Sequence, residues 1–159
     1  MESAGLGDLT SAAIAGPRAD DHVRGAGPGI VVMYADFTCP RCAVAALRLA
    51  DDPATRVVFR HFALKARHPR SLPLALAAEA AGLQGAFWPF HDALFSDQGH
   101  IDDPHLWERC ERLGLDLERF EADRRSEQVA VRVRRDVREG MRAGVTGTPA
   151  LLRPSIDWP

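Results

Sequence analysis

Two apolar runs constrain this chain more than any other feature. "GIVVMYADF" (residues 29–37) and "TRVVFRHFAL" (residues 55–64) are short and rich in β-branched and aromatic side chains. Such runs read as strands buried on both faces. Between them "CPRCAVAALRLADD" (residues 39–52) has a helical pattern. Thr38 can cap that helix, Pro40 suits its first turn because the missing N–H would be unpaired there anyway, and Pro53 ends it. Strand, helix and strand within about 35 residues make a βαβ unit, with parallel strands and a right-handed crossover.

The stretch after the second strand is helical. "RSLPLALAAEAAG" is rich in Ala and Leu and closes at Gly82, and "AFWPFHDALFSD" carries aromatics at helical spacing. "DDPHLWERCERLGL" offers an Asp cap, Pro104 in the first turn and Gly114 as a stop, and "DLERFEADRR" reads as a short helix. "SEQVAVRVRRDVREGMRAG" starts at a Ser cap, with Val129, Val133, Val137 and Met141 spaced by four. "VTGTPALL" then gives a Gly-rich turn, a Thr-Pro pair and a short strand. Residues 1–28, rich in Ala, Gly and Asp, read as a mostly loose leader with one short edge strand near residues 12–15.

With 159 residues, 46% of them apolar, the chain can bury the core of one domain, or of one domain with an insert. Its formal net charge of −2 gives no general reason to expect nucleic acid or an anionic membrane as partner. No run approaches the roughly 18 apolar residues of a membrane span, and the first residues lack the basic and apolar regions of a signal peptide. Cys39, Cys42 and Cys110 are too few for a stapled secreted framework. An odd count with one close pair suits a reducing compartment, and a cytoplasmic location is expected.

The close pair lies in "FTCPRC". On a helix, Cys39 and Cys42 at i and i+3 face the same side, so their sulfurs can approach bonding distance. Cys39 stands at the helix start, where unpaired N–H groups and the macrodipole favour a thiolate nucleophile. Arg41 adds a positive charge, so Pro40 and Arg41 are the residues expected to tune the thiol. Cys42, one turn further in, can resolve a mixed disulfide. A zinc site would need about four ligands, but there is one CxxC pair, and His61, His68, His91, His100 and Cys110 are scattered without ligand spacing. A purely structural disulfide would close a tiny loop in a compartment that reduces it. Redox use is therefore favoured over either.

CxxC after a buried strand, followed by helix and strand, resembles a thioredoxin fold. "FRHFAL", "AAEAAGLQGAFWPFHDALF" and "LGLDLERFEADRRS" resemble the DsbA-like branch of that superfamily, and "GVTGTP" resembles its cis-proline loop. The resemblance spans about residues 20–152. It implies an α/β thioredoxin fold, made of a βαβ unit plus a cis-proline strand, with an inserted helical domain. Residues 29–66 and 126–159 would form the thioredoxin-like domain, 67–125 the helical insert and 1–28 the leader. It also implies a thiol–disulfide oxidoreductase in which Cys39 attacks, Cys42 resolves, and Thr148 and Pro149 shape the substrate site. The redox centre would be the dithiol itself, with no metal or organic cofactor, and the partners would be protein or low-molecular-weight thiols and disulfides.

The chain departs from that pattern in two places. Met33 occupies the position, six residues before Cys39, where relatives carry a buried Glu or Asp. The fold also normally continues past the cis-proline strand into another strand and a closing helix, for which "RPSIDWP" is too short. Both strands of the βαβ unit are apolar on both faces, so a second subunit in a homodimer, another partner or the leader is expected over the remaining face.

Other features have plainer readings. Cys110 shares a helix face with Leu106 and Leu113 and reads as a small core hydrophobe. Phe87, Trp88, Phe90 and Phe95 read as core rather than as a peptide groove, and His91 and His61 as packed, hydrogen-bonded side chains. Arg132, Arg134, Arg135, Arg138 and Arg142 read as a solvated helix face with acidic partners rather than a nucleic-acid site. Two rival functions stand beside the oxidoreductase. One is a redox-weak binding module that keeps the fold. The other is a glutathione-transferase-like isomerase, which usually carries Ser at the first active-site position and is disfavoured by the Cys39–Cys42 pair.

Overall fold

The computed structural model describes residues 14–154 and Trp158. Four strands form one sheet: β1 (His22–Arg24), β2 (Gly29–Ala35), β3 (Thr55–His61) and β4 (Ala150–Leu152), in the order β1-β3-β2-β4. Helix α1 (Pro40–Ala50) crosses from β2 to β3, which pair in parallel. Helices α2 (Ser71–Leu83), α3 (Phe87–Ser96), α4 (Asp103–Arg112), α5 (Leu117–Arg124) and α6 (Glu127–Arg142) lie between β3 and β4. The mixed α/β thioredoxin architecture read from the sequence is the one observed.

The two central strands alternate strictly, as a pleated strand must. Met33, Ala35, Val57 and Phe59 enter a large core with Cys42 and Ala46 of α1 and the apolar faces of α2 to α5. Val32, Tyr34 and Val58 point the other way, where Phe62, Val145, Val137 of α6, Ile14 and Trp158 cover them. Arg60, fully buried, holds the leader on that face. Its guanidinium donates to the Asp21 carboxylate (3.1 and 2.9 Å) and to the carbonyls of Ala15 and Gly16 (2.8 Å each). A buried guanidinium is tolerated only when its donors are met in this way. The expected cover is thus supplied at least in part by the leader.

Several local expectations are corrected. The edge strand of the leader is β1, antiparallel to β3, while Ile14 and Ala15 are not in a strand and residues 12–13 lie outside the described residues. Helix α2 runs one residue past Gly82. In α6 the buried positions are Val129, Val133, Asp136 and Gly140, while Met141 is 55% exposed. A spacing of four advances about 40° per step beyond a full turn, so a stripe written every fourth residue rotates off the buried face within three steps.

At Gly140 helix α6 lies directly against Tyr34 of β2 and against Phe62. A Cβ there would stand 2.9 Å from Phe62 Cδ1 and 3.0 Å from the Tyr34 ring. Tyr34 is fully buried and cannot retreat. Gly140→Ala is expected to cost about 1–3 kcal/mol through overpacking. The measurement is a fall in the urea midpoint with the slope unchanged.

Candidate active site

The loop between β2 and α1 is built around one buried carboxylate. Asp36 Oδ1 accepts the N–H and the hydroxyl of Thr38, both at 2.8 Å, and Oδ2 accepts the Ser71 hydroxyl at 2.6 Å. The Asp36 carbonyl accepts the Cys39 N–H at 3.1 Å. From the far side Gln98 Nε2 donates to the carbonyls of Phe37 (2.9 Å) and Cys39 (3.0 Å). Residues 36–39 are thus fastened to the first residue of α2 and to the segment after α3. Removing the carboxylate in Asp36→Ala would strand the buried Ser71 hydroxyl and free the half-buried Thr38, at a cost of about 1–3 kcal/mol. Chemical denaturation should read this, with Ser71→Ala showing a smaller loss in the same direction.

Because Thr38 is engaged by Asp36, it does not cap α1 as expected. Cys39 takes that place: it is the N-cap residue, and its sulfur accepts the Cys42 N–H at 3.2 Å. The Cys39 sulfur is therefore itself the capping acceptor, at the positive end of the helix. Pro40 occupies the first turn and is exposed, as is Arg41, which has no carboxylate partner among the described residues.

β4 brings the second half of the site. It pairs antiparallel with β2, Tyr34 opposite Ala150, so the loop before it arrives at the C-terminal end of β2. The Thr148–Pro149 peptide is cis, and the Thr148 carbonyl lies 3.7 Å from the Cys39 sulfur as its hydrogen-bond acceptor. The loop is braced from outside by Arg67, whose Nη2 donates to the Thr146 carbonyl at 2.6 Å.

The two thiols differ sharply. Cys39 is half-buried and Cys42 wholly buried. Burial pushes the Cys42 thiol up to about 12, helped by its contact with Cys39. Burial thus disfavours the Cys42 thiolate, and of the pair only Cys39 is partly exposed. Met33 sits in the same apolar cluster as Cys42.

The plainer readings can be placed as well. Cys110 is buried in the main core, its thiol pushed up to about 11 by burial. Phe87, Phe90 and His91 are buried, and Trp88 and Phe95 pack against that core. His61 is buried against Glu79. On α6, Arg132 and Arg135 pair with Asp20 (3.1 and 2.9 Å) and Arg134 with Glu127 (2.6 Å). Among the described residues no group of three or more His, Cys, Asp or Glu could hold a metal ion. Asp36, Ser71 and Gln98 escaped the sequence reading, because their contacts span 35 and 59–61 positions.

The profile of the DSBA-like thioredoxin domain matches residues 69–153. Among solved structures, a thioredoxin-like oxidoreductase from Silicibacter pomeroyi is 28% identical with a TM-score of 0.75, covering 87% of this chain and 83% of that one. DsbA2 of Pseudomonas aeruginosa is 26% identical with a TM-score of 0.67, covering 86% and 81%. Among curated proteins, one named Na(+)/H(+) antiporter NhaA 1 from Salinispora arenicola is 46% identical over 141 residues, which is 83% of this chain. The chain spans about a fifth of that relative's length, 21%.

Proposed function

The chain belongs to the DSBA-like thioredoxin domain family, and we propose that it is a thiol–disulfide oxidoreductase working through Cys39 and Cys42. The observation that carries this is the half-exposed Cys39 sulfur at the N-cap of α1, beside the Thr148 carbonyl and one turn from the buried Cys42. In the reducing direction the Cys39 thiolate attacks one sulfur of a substrate disulfide. The S–S bond breaks, Cys39 and that sulfur form a mixed disulfide, and the other sulfur leaves as a thiolate. Cys42 gives up its proton and attacks Cys39, forming the Cys39–Cys42 disulfide and releasing the second substrate thiolate. Two electrons pass from dithiol to substrate, and the oxidising direction is the reverse. Thr148 and Pro149 shape the face on which the substrate docks, Pro40 and Arg41 tune the attacking sulfur, and the dithiol is the only redox group invoked.

Two assays test this reading: reduction of insulin by the dithiol form, and oxidation of a dithiol peptide by the disulfide form. Catalysis of either above the rate of a free dithiol is expected, and equilibration with glutathione would then give the potential and the favoured direction. Failure of both with a correctly folded chain would sink the reading.

The antiporter relatives favour a second reading. Identity to the Salinispora arenicola protein, 46%, exceeds the 28% to the Silicibacter pomeroyi oxidoreductase. Under this reading the fold serves as a redox-weak accessory module of an ion antiporter, and Met33, at the position where relatives carry an acid, accounts for slow turnover. Insulin reduction no faster than free dithiol, together with binding of the antiporter that depends on the state of Cys39 and Cys42, would favour it.

A further inference from the structure

The segments around the Cys39 loop are rich in cations, and the acid within that loop, Asp36, is buried beneath Thr38 and Ser71. Residues 38–48, 64–71 and 142–150 hold Arg41, Arg48, Lys65, Arg67, Arg70 and Arg142 and not one Asp or Glu. The whole chain has 22 acidic against 20 basic residues, so this distribution is local. We propose that the site selects acidic disulfide substrates, meaning polypeptides with carboxylates flanking the reacting cysteine. The proposal rests on the exchange activity proposed above.

Two cations carry the argument. Arg41 follows Cys39 by two residues, is exposed, and has no carboxylate partner among the described residues. Arg67 is held against the loop on the other side of the sulfur. Its Nη2 donates to the Thr146 carbonyl at 2.6 Å and lies 3.9 Å from the place a Cβ on Gly147 would occupy. A carbonyl fixes a guanidinium without neutralising it, so full positive charge is presented two residues from Thr148. Lys65 and Arg142 are exposed and likewise without carboxylate partners among the described residues. The remaining rim does contain acids, each bonded to a basic side chain beside it. Asp97 pairs with His100 (2.8 Å), Asp102 with His105, and Asp103 with Arg70 (2.9 Å) and Arg124 (3.2 Å). A carboxylate-bearing substrate thus meets unpaired cations on two sides of the sulfur, an arrangement that sets on-rate and partner choice more than tightness.

The test uses the full chain in its dithiol form and three short peptides, each dimerised through one disulfide and flanked by Glu, Gln or Lys. In a single turnover Cys39 and Cys42 supply the two electrons, so no further reductant enters. Rates are divided by those of a small neutral dithiol with the same peptides, which removes differences in intrinsic disulfide reactivity. The Glu peptide should react roughly tenfold faster than the Lys peptide at low salt, narrowing to about twofold or less in molar salt. Arg67→Glu should erase or invert that ratio, and Arg67→Gln should reduce it. If the substitutions merely loosen the loop, all three peptides slow together and the ratio stays; that result, or a ratio near one in the unaltered chain, overturns the proposal. Absence of exchange with every peptide would instead sink the underlying activity, and this selectivity with it.

Discussion

Replacing Cys39 by serine is expected to remove thiol–disulfide exchange, leaving only the background rate of the assay. Cys42→Ser should stop the reaction half-way, with substrate trapped on Cys39 as a mixed disulfide visible as a mass adduct. The asymmetry follows from position. Cys39 is half-exposed with its sulfur at the cap of α1, whereas Cys42 is wholly buried and its thiol is pushed up to about 12 by burial. A thiolate is the attacking species, so a buried thiol, its thiolate disfavoured, is not the one to begin the reaction. It acts only after the mixed disulfide has put an electrophilic sulfur one helical turn away.

Alkylation gives an independent check on the same assignment. In the folded dithiol form near neutral pH, one equivalent of iodoacetamide should enter first, at Cys39. Cys42 and Cys110 should react only after denaturation, since both are buried and burial pushes the Cys110 thiol to about 11. Faster labelling of Cys42 than of Cys39 would reverse the roles proposed here.

How much of this was legible in the sequence depends on how far apart the partners lie. The βαβ unit, the helical stretch, the Ser126 cap of α6 and the CxxC pair are local patterns, and each was read from adjacent residues. The cap of α1 was misassigned to Thr38, because a cysteine sulfur is not an ordinary capping group and because nothing local announces that Asp36 will claim Thr38. The mounting of the active-site loop on Ser71 and Gln98 depends on where α2 and α3 dock, which periodicity does not encode. The stripe on α6 failed for a geometric reason: only its first two positions, Val129 and Val133, are buried, and the face continues through Asp136 and Gly140. Buried Asp136 is explained by its partners, since it accepts the His61 N–H at 3.0 Å and pairs with Arg18 at 2.6 Å.

The largest effect on stability is expected at Glu79, which no sequence pattern marked. Its carboxylate joins four elements. Oε2 accepts Nε2–H of His22 in β1 and of His61 in β3, both at 2.7 Å, and Oε1 forms an ion pair with Arg132 of α6 at 2.8 Å, while Glu79 itself belongs to α2. Glu79→Ala would strand these polar groups at a largely buried site, and breaking such a cluster costs about 3–5 kcal/mol. That is a large part of the roughly 5–15 kcal/mol that holds a domain together. The pH dependence distinguishes charge from shape. Burial alone would push the Glu79 carboxyl up, but hydrogen bonds from His22 and His61 outweigh it and hold the group well below its ordinary 4.5. The folded chain therefore binds this proton less readily than the unfolded chain. The resulting stabilisation is present in full above 4.5 and is lost as the pH falls below that value toward the folded one. Urea midpoints at neutral pH and at roughly pH 3.5 should show the unaltered chain losing part of this contribution. Glu79→Gln keeps the shape, so it should start less stable at neutral pH and lose less on acidification. An equal loss in both proteins would place the acid sensitivity elsewhere, and a cost below about 1 kcal/mol for Glu79→Ala would mean that the four elements hold together without it.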